Sequence, residues 1–182
     1  MTFLIMTTGF LIAAWTFGAL VWSTAYPAKR LWPPISYSVC TPIIAWGATV
    51  AIFGAVLALG VIGWGQMPIP NWVRFGLGLP IIVVSNIVVW NEVRSFGIAQ
   101  TSGAFGTLKT DGLYRYSRNP QYVADACMIF GWLLLSSSAA AVPLGAVGIL
   151  LLLFAPFAEE PWLRERFGRE FDNYRAKTRR YF

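Results

Sequence analysis

Apolar blocks as long as a bilayer is thick, with at most one charged side chain each, are the feature that most constrains this chain. The first covers residues 3–22 and carries no charged side chain. A helix crossing the hydrocarbon core needs roughly 20 such residues. Further blocks cover residues 42–64, 72–91, 120–137 and 140–158. The pattern predicts an all-α polytopic membrane protein, a single membrane domain with five spans. Composition agrees: 12% of the 182 residues are charged, about half the share usual in soluble domains. Many of the nine Trp and seven Tyr stand near block ends, where amphipathic rings favour the interface.

Charge also orients the chain. With five spans, the loop 23–41, the loop 93–119 and the tail 159–182 share one side, and the other side holds only Arg74. The positive-inside rule then puts the N-terminus outside and the C-terminus in the cytoplasm. Seven of the fourteen Lys and Arg fall in residues 164–182. On a membrane protein such a tail marks the cytoplasmic face rather than a nucleic-acid partner. Leu163, Phe167, Phe171 and Tyr174 fall on one helical face of the tail, which predicts an amphipathic helix along the membrane surface, broken near Gly168. The start lacks a positive n-region, so the first block reads as a retained span. With two cysteines and no histidine, neither a disulfide framework nor a metal site is expected.

One polar, Arg- and Tyr-rich stretch interrupts the apolar pattern: Gly112-Leu113-Tyr114-Arg115-Tyr116-Ser117-Arg118-Asn119-Pro120-Gln121-Tyr122. A second, Glu159-Glu160-Pro161-Trp162, follows about forty residues later. The fourth and fifth blocks are joined only by a short turn at Ser136-Ser137-Ser138, so they form an antiparallel hairpin. At 1.5 Å per residue the two arms are each about 27–28 Å long. Asn119-Pro120 and Glu159-Glu160 therefore return to one level. Asn119 reads as an N-cap and Pro120 as the first helical residue. A helix start offers free N–H groups to an anion, and the glutamates offer charge to a cation. S-adenosyl-L-methionine, with its carboxylate, ammonium and sulfonium, fits such a site. Tyr114, Tyr116, Tyr122 and Trp162 are candidates to cover its adenine or face the sulfonium. Taken singly, each feature also has a plainer reading. The arginines serve as interfacial anchors, the aromatics as belt residues, and the glutamates as the acidic first turn of a helix. Asp125, roughly 7–8 Å inside the fourth span, is either a functional acid or a partner for Asn86, and Glu92 either caps a span or faces the site.

The stretch from Leu108 to Tyr122, with Glu159-Glu160-Pro161-Trp162-Leu163, Phe167-Gly168, Phe171 and Tyr174-Arg175, resembles the integral-membrane phospholipid and isoprenylcysteine carboxyl methyltransferases. The resemblance covers roughly residues 97–180 and leaves the first three spans generic. It implies S-adenosyl-L-methionine bound under the tail and a lipophilic acceptor entering between helices. By motif position, Gly112, Leu113, Tyr114, Arg118, Asn119, Pro120, Tyr122, Glu159 and Glu160 would bind the cofactor. Tyr174 and Arg175 would lie near the transferred methyl or the acceptor's head, with Glu160, Asp125 or Tyr174 as base for an amine acceptor. For a carboxylate acceptor, Arg175 or Arg179 would hold the head. Arg118-Asn119-Pro120 stands where many prenylcysteine-type members have Arg-His-Pro, which favours other acceptors. A rival enzyme reading is an NADPH-dependent sterol or steroid reductase, which shares this C-terminal region. The Glu-Glu-Pro-Trp motif favours the methyltransferase. A non-catalytic scaffold would leave the polar third loop without a purpose.

Overall fold

A computed structural model describes residues 1–104 and 106–181. The elements are α1 (Thr2–Ala25), α2 (Thr41–Ile62), α3 (Asn71–Val73), a π-helical turn (Arg74–Gly78), α4 (Leu79–Thr101), α5 (Pro120–Ser136), α6 (Ala141–Phe167) and α7 (Arg169–Lys177). Short 3-10 turns cover Pro27–Lys29 and Gly112–Arg115. Among the described residues there is no sheet, only one isolated parallel pairing of Ser117 with Arg179. The molecule is an all-α membrane fold. Four stretches are long and apolar enough to cross a bilayer: Thr2–Ala25, Thr41–Ile62, Asn71–Ser95 and Ala141–Phe167.

Helix α5 has 17 residues and is the shortest of the expected spans. It nevertheless runs between the same two ends as α2. At its far end the carbonyls of Ser136 and Ser137 accept the N–H groups of Gly65 and Met67, each at 2.8 Å. At its near end Tyr122 donates to Glu159 of α6. The α5–α6 hairpin expected from arm length is therefore present, with Ser137 in the left-handed conformation (φ 53°) at the turn.

The core lies where α1, α2, α5 and α6 meet. Ala13, Leu20, Ile52, Val56, Leu59, Ile129, Leu144, Leu151 and Ala155 form it. Burying apolar area cannot by itself drive helices together in lipid, so small residues and interhelical hydrogen bonds matter more. Gly78 and Gly131 let the π-helical turn before α4 touch α5 backbone to backbone, since a Cβ on Gly131 would stand 2.9 Å from the Gly78 carbonyl oxygen. Trp132 Nε1 donates to the Val56 carbonyl at 3.1 Å, and Ser138 Oγ to that of Leu59 at 2.8 Å. Outward, Phe3, Leu4, Leu11, Trp15, Val84 and Ile87 are exposed, as lipid-facing side chains should be.

Several expected boundaries move. The third span ends not at residue 91 but continues through Ser95, and helical backbone resumes beyond a break at Gly97 (φ 75°, ψ 156°). The first nine residues of the expected loop 93–119 thus belong to α4. The first half of this span, which holds Gly76, Gly78 and Pro80, carries the π-helical turn Arg74–Gly78, a wider turn typical of local helix adjustment. The fifth span extends to Phe167, through Pro156 and Pro161, so the first part of the tail belongs to α6. The tail does break at Gly168, whose φ of 51° and ψ of −124° suit glycine. The tail does not lay its apolar face on a membrane surface: Phe171 and Tyr174 of α7 are buried in the protein, because α7 turns back over the end of the α5–α6 hairpin.

Candidate functional site

The two polar motifs meet at the end of the hairpin, around a charge cluster centred on Glu160. Its Oε1 accepts Arg118 NH2 at 2.7 Å and Arg180 Nε at 2.8 Å, and its Oε2 accepts Arg180 NH2 at 2.7 Å. Arg180 thus grips both oxygens, the fork geometry that makes such pairs strong and directional. Glu160 and the Arg118 side chain are buried. Arg118 NH1 also donates to the Thr178 and Arg175 carbonyls. Residues 178–181 form a strap across the start of α5. Arg118 N donates to the Arg179 carbonyl at 2.9 Å, and Ser117 Oγ and Asn119 Nδ2 both donate to that of Arg180 at 3.1 Å. The Arg180 guanidinium lies 3.9 Å from the Phe157 ring centroid. The bonds from Glu160 hold the Arg180 charge more firmly and raise its pKa.

Glu159 plays a different part. Trp32 Nε1 donates to its Oε1 at 2.8 Å, and the Tyr122 hydroxyl donates to the same atom. Both bonds fall on one oxygen, Oε1. Glu159 lines a cavity of about 630 Å³, within the range of small-molecule sites. Its charged end is walled by Arg118, Asn119, Tyr122, Glu159, Glu160 and Tyr174; its other end runs between α2, α4 and α5 past Leu57, Ile82 and Trp132. Two buried donors, Arg118 Nε and Trp162 Nε1, have no hydrogen-bond partner, and both residues line the cavity. Buried donors are rarely left unpaired without a ligand or water to meet them.

Most of the predicted site residues come together here. Tyr114, Arg118, Asn119, Tyr122, Glu159, Glu160 and Tyr174 all line the cavity, as do Asp125 and Trp162. Gly112, Leu113, Pro120 and Arg175 do not line it. Gly112 (φ 56°) opens the 3-10 turn, which carries Tyr114 inward and leaves Leu113 exposed. Pro120 is buried as the first residue of α5. Arg175 faces away, its side chain exposed, because Tyr174 takes the inward position and the next residue lies about 100° around the helix. The Asn119 side chain does not cap α5; it holds the strap instead.

Tyr174 donates to the Tyr114 carbonyl at 2.7 Å, and burial pushes its phenol up to about 12. Burial, with Glu92 next, also raises the Tyr114 phenol. Neither ring is poised to take a proton near neutrality. Glu92 faces the site end, paired with Lys109 at 3.3 Å. Lys109 lies 5.5 Å from the Tyr114 ring centroid, so the loop after α4 closes one side of the cavity.

Three contributors lie outside the sequence expectation. Trp32, from the first loop, orients Glu159. Trp46 of α2 lines the cavity and donates to Ser102 at 3.0 Å. Arg180 completes the clamp on Glu160. Trp32 and Trp46 read from sequence as belt residues, and Arg180 as part of a basic tail. The doublet Arg179-Arg180 just past the amphipathic helix that carries Tyr174 was the available signal.

Fold and site together define a multi-span membrane protein with a charged pocket at one end of a helical hairpin. The family model for phospholipid methyltransferases matches residues 73–170, and the chain belongs to that family of membrane methyltransferases. Similar proteins include phosphatidylethanolamine N-methyltransferases of Aspergillus fumigatus and Neosartorya fischeri. Each is 27% identical over 128 residues, covering 68% of this chain and 12% and 11% of theirs. A steroid 5-alpha-reductase DET2 of Solanum lycopersicum is 25% identical over 105 residues, covering 57% of this chain and 40% of its own. The chain thus spans well under two thirds of the length of these relatives. No solved structure matches it.

Proposed function

We propose that the protein transfers a methyl group from S-adenosyl-L-methionine to the amine head of a phospholipid at the cytoplasmic face of the membrane. The observation that carries this reading is the single cavity that is charged where the two motifs meet and apolar where it runs between α2, α4 and α5. Membership of the phospholipid methyltransferase family, and relatives named for phosphatidylethanolamine N-methylation, support the acceptor class.

The residues present fit the cofactor. Arg118 Nε, Trp162 Nε1 and the first N–H groups of α5 would receive its carboxylate. Glu159 Oε2 would receive its ammonium. Tyr114 and Tyr122 would flank its ring or sulfonium. When bound, the cofactor supplies a methyl group activated by positive sulfur. The protein's share is to align acceptor and methyl and to exclude water. Glu160 is committed to two arginines, so it orders Arg118 and the strap rather than meeting the cofactor's ammonium. Five crossings, with the charged end and C-terminus in the cytoplasm, complete the reading.

The test is calorimetry on purified protein with adenosylmethionine and with NADPH, followed by mass spectrometry of phospholipid vesicles incubated with methyl-labelled adenosylmethionine. The expected outcome is binding of adenosylmethionine alone and label in the phospholipid amine. Binding of NADPH instead would favour a reductase; binding of neither would leave a scaffold.

A further inference from the structure

The cavity holds one carboxylate that the cofactor does not need. Asp125 lies on the same face of α5 as Tyr122 and Trp132, and all three line the cavity. It stands roughly 7–8 Å, five residues, beyond Pro120, where the lining passes from charged to apolar. Among the described residues, every other charged group that lines the cavity has an ion-pair or hydrogen-bond partner. Arg118 and Arg180 hold Glu160, Lys109 holds Glu92, and Tyr122 and Trp32 hold Glu159. Among the described residues, Asp125 has neither. The alternative of a bond to Asn86 is not realised, since that amide lies against Met128 Sδ at 3.9 Å.

To stay ionised, an acid within a membrane helix that faces a cavity needs a cation to offset the loss of water. The surroundings suit an organic ammonium. Trp46 and Met128 pack against the Ala124 cluster beside Asp125, and Trp46, Trp90 and Trp132 all line the cavity. Aromatic faces with a carboxylate form the usual recognition set for such a head.

We propose that Asp125 is the acceptor-side catalytic residue: it pairs with the ammonium head of an amine carried on an apolar tail and takes its proton. An ammonium nitrogen has no lone pair to attack with. On transfer of its proton to the Asp125 carboxylate, the nitrogen lone pair forms the bond to the methyl carbon. The carbon–sulfur bond breaks and its electron pair stays on sulfur as a neutral thioether. The proton then leaves through the cavity mouth. An acceptor that is already a carboxylate would have no use for this group, so Asp125 also selects amines over carboxylates. The assignment rests on the methyltransferase reading.

The experiment uses purified full-length protein in phosphatidylcholine nanodiscs, with n-dodecylamine and n-dodecanol as probes and tryptophan fluorescence as the readout of binding. In the wild type, the amine is expected to bind at least tenfold more tightly than the alcohol. Asp125→Asn should abolish that preference, and Asp125→Glu should keep most of it. Adenosylhomocysteine affinity should stay unchanged in both variants. Equal binding of amine and alcohol to the wild type, or an undiminished preference in Asp125→Asn, would overturn the assignment. If Asp125→Asn fails to fold, the wild-type comparison and Asp125→Glu still decide it. Amine preference with no adenosylhomocysteine binding would instead refute the methyltransferase reading and leave Asp125 as an ammonium site.

Discussion

Glu159 and Glu160 are neighbours with opposite tasks, and the difference comes from what surrounds each carboxylate. Glu160 has its oxygens filled by Arg118 and Arg180. Removing its charge leaves two arginines without a counter-ion, one of them buried, and breaking a buried pair costs about 3 kcal/mol or more. Glu160→Gln is therefore expected to lower the unfolding temperature in detergent markedly. Glu159→Gln keeps the oxygen that accepts Trp32 and Tyr122 and loses only the charge toward the cavity. It should unfold within about 1 kcal/mol of wild type yet bind adenosylmethionine at least tenfold more weakly by calorimetry. Equal behaviour of the two variants in both measurements would contradict this division. Tyr174 supplies a second contrast. Its phenol is held up to about 12 by burial, so it stays protonated and donates to the Tyr114 carbonyl. Tyr174→Phe should lower kcat less than tenfold and leave the alkaline limb of the pH–rate profile where it was. A shifted limb would make Tyr174 the base.

At the scale of elements, the site depends on how α6 hands the chain to α7. Gly168 makes the reversal that brings Phe171 and Tyr174 inward, in a conformation that costs a side-chain-bearing residue of order 1–3 kcal/mol. A Cβ there would meet no atom within 4 Å, so the cost is conformational alone. Gly168→Ala should destabilise by about 1–3 kcal/mol. Gly76→Ala, also free of contacts but in helical backbone, should be neutral or slightly stabilising. Thermal unfolding of both variants checks this. Deleting residues 178–182 removes Arg180 and the carbonyls that hold Arg118 and Asn119. The expected result is unchanged far-ultraviolet helicity with adenosylmethionine affinity reduced at least tenfold. The hairpin was legible because block length and a three-serine turn fix where its ends meet. The strap was not, because its contacts are made largely by backbone carbonyls of residues 178–180, which no side-chain pattern announces. Trp32 was hidden for a related reason: a loop tryptophan reads as an interfacial anchor until folding shows that its N–H points at Glu159. Asn119 has good capping chemistry, but the strap offers its amide a carbonyl and wins it from the helix end.

At the scale of the whole molecule, charge and site occupy the same end. Of the fourteen Lys and Arg, all but Arg74 fall in residues 29–30, 94–118 and 164–180, in the loops, the tail and the helix ends next to them. Arg74 is buried at the far end, its Nε donating to the Leu135 carbonyl at 3.0 Å and its guanidinium 5.0 Å from the Trp64 ring centroid. That arginine is buried within the protein, its Nε bonded and its NH2 without a hydrogen-bond partner, so its charge is drawn inward rather than presented at the far membrane surface. Under the proposed five crossings, in which α5 reaches the same far-end loop as α2, the chain makes an odd number of passages and its termini would face opposite sides. On that reading the positive-inside rule would place the cavity mouth in the cytoplasm, where adenosylmethionine is made available to it. Cys40 tests this directly. It is exposed at the start of α2, on the charged end, whereas Cys127 lies within α5. In a Cys127→Ser variant, a membrane-impermeant maleimide should label Cys40 in inverted membrane vesicles and spare it in intact cells. Labelling in intact cells would reverse the orientation and place the cofactor site on the wrong side of the membrane for this reaction.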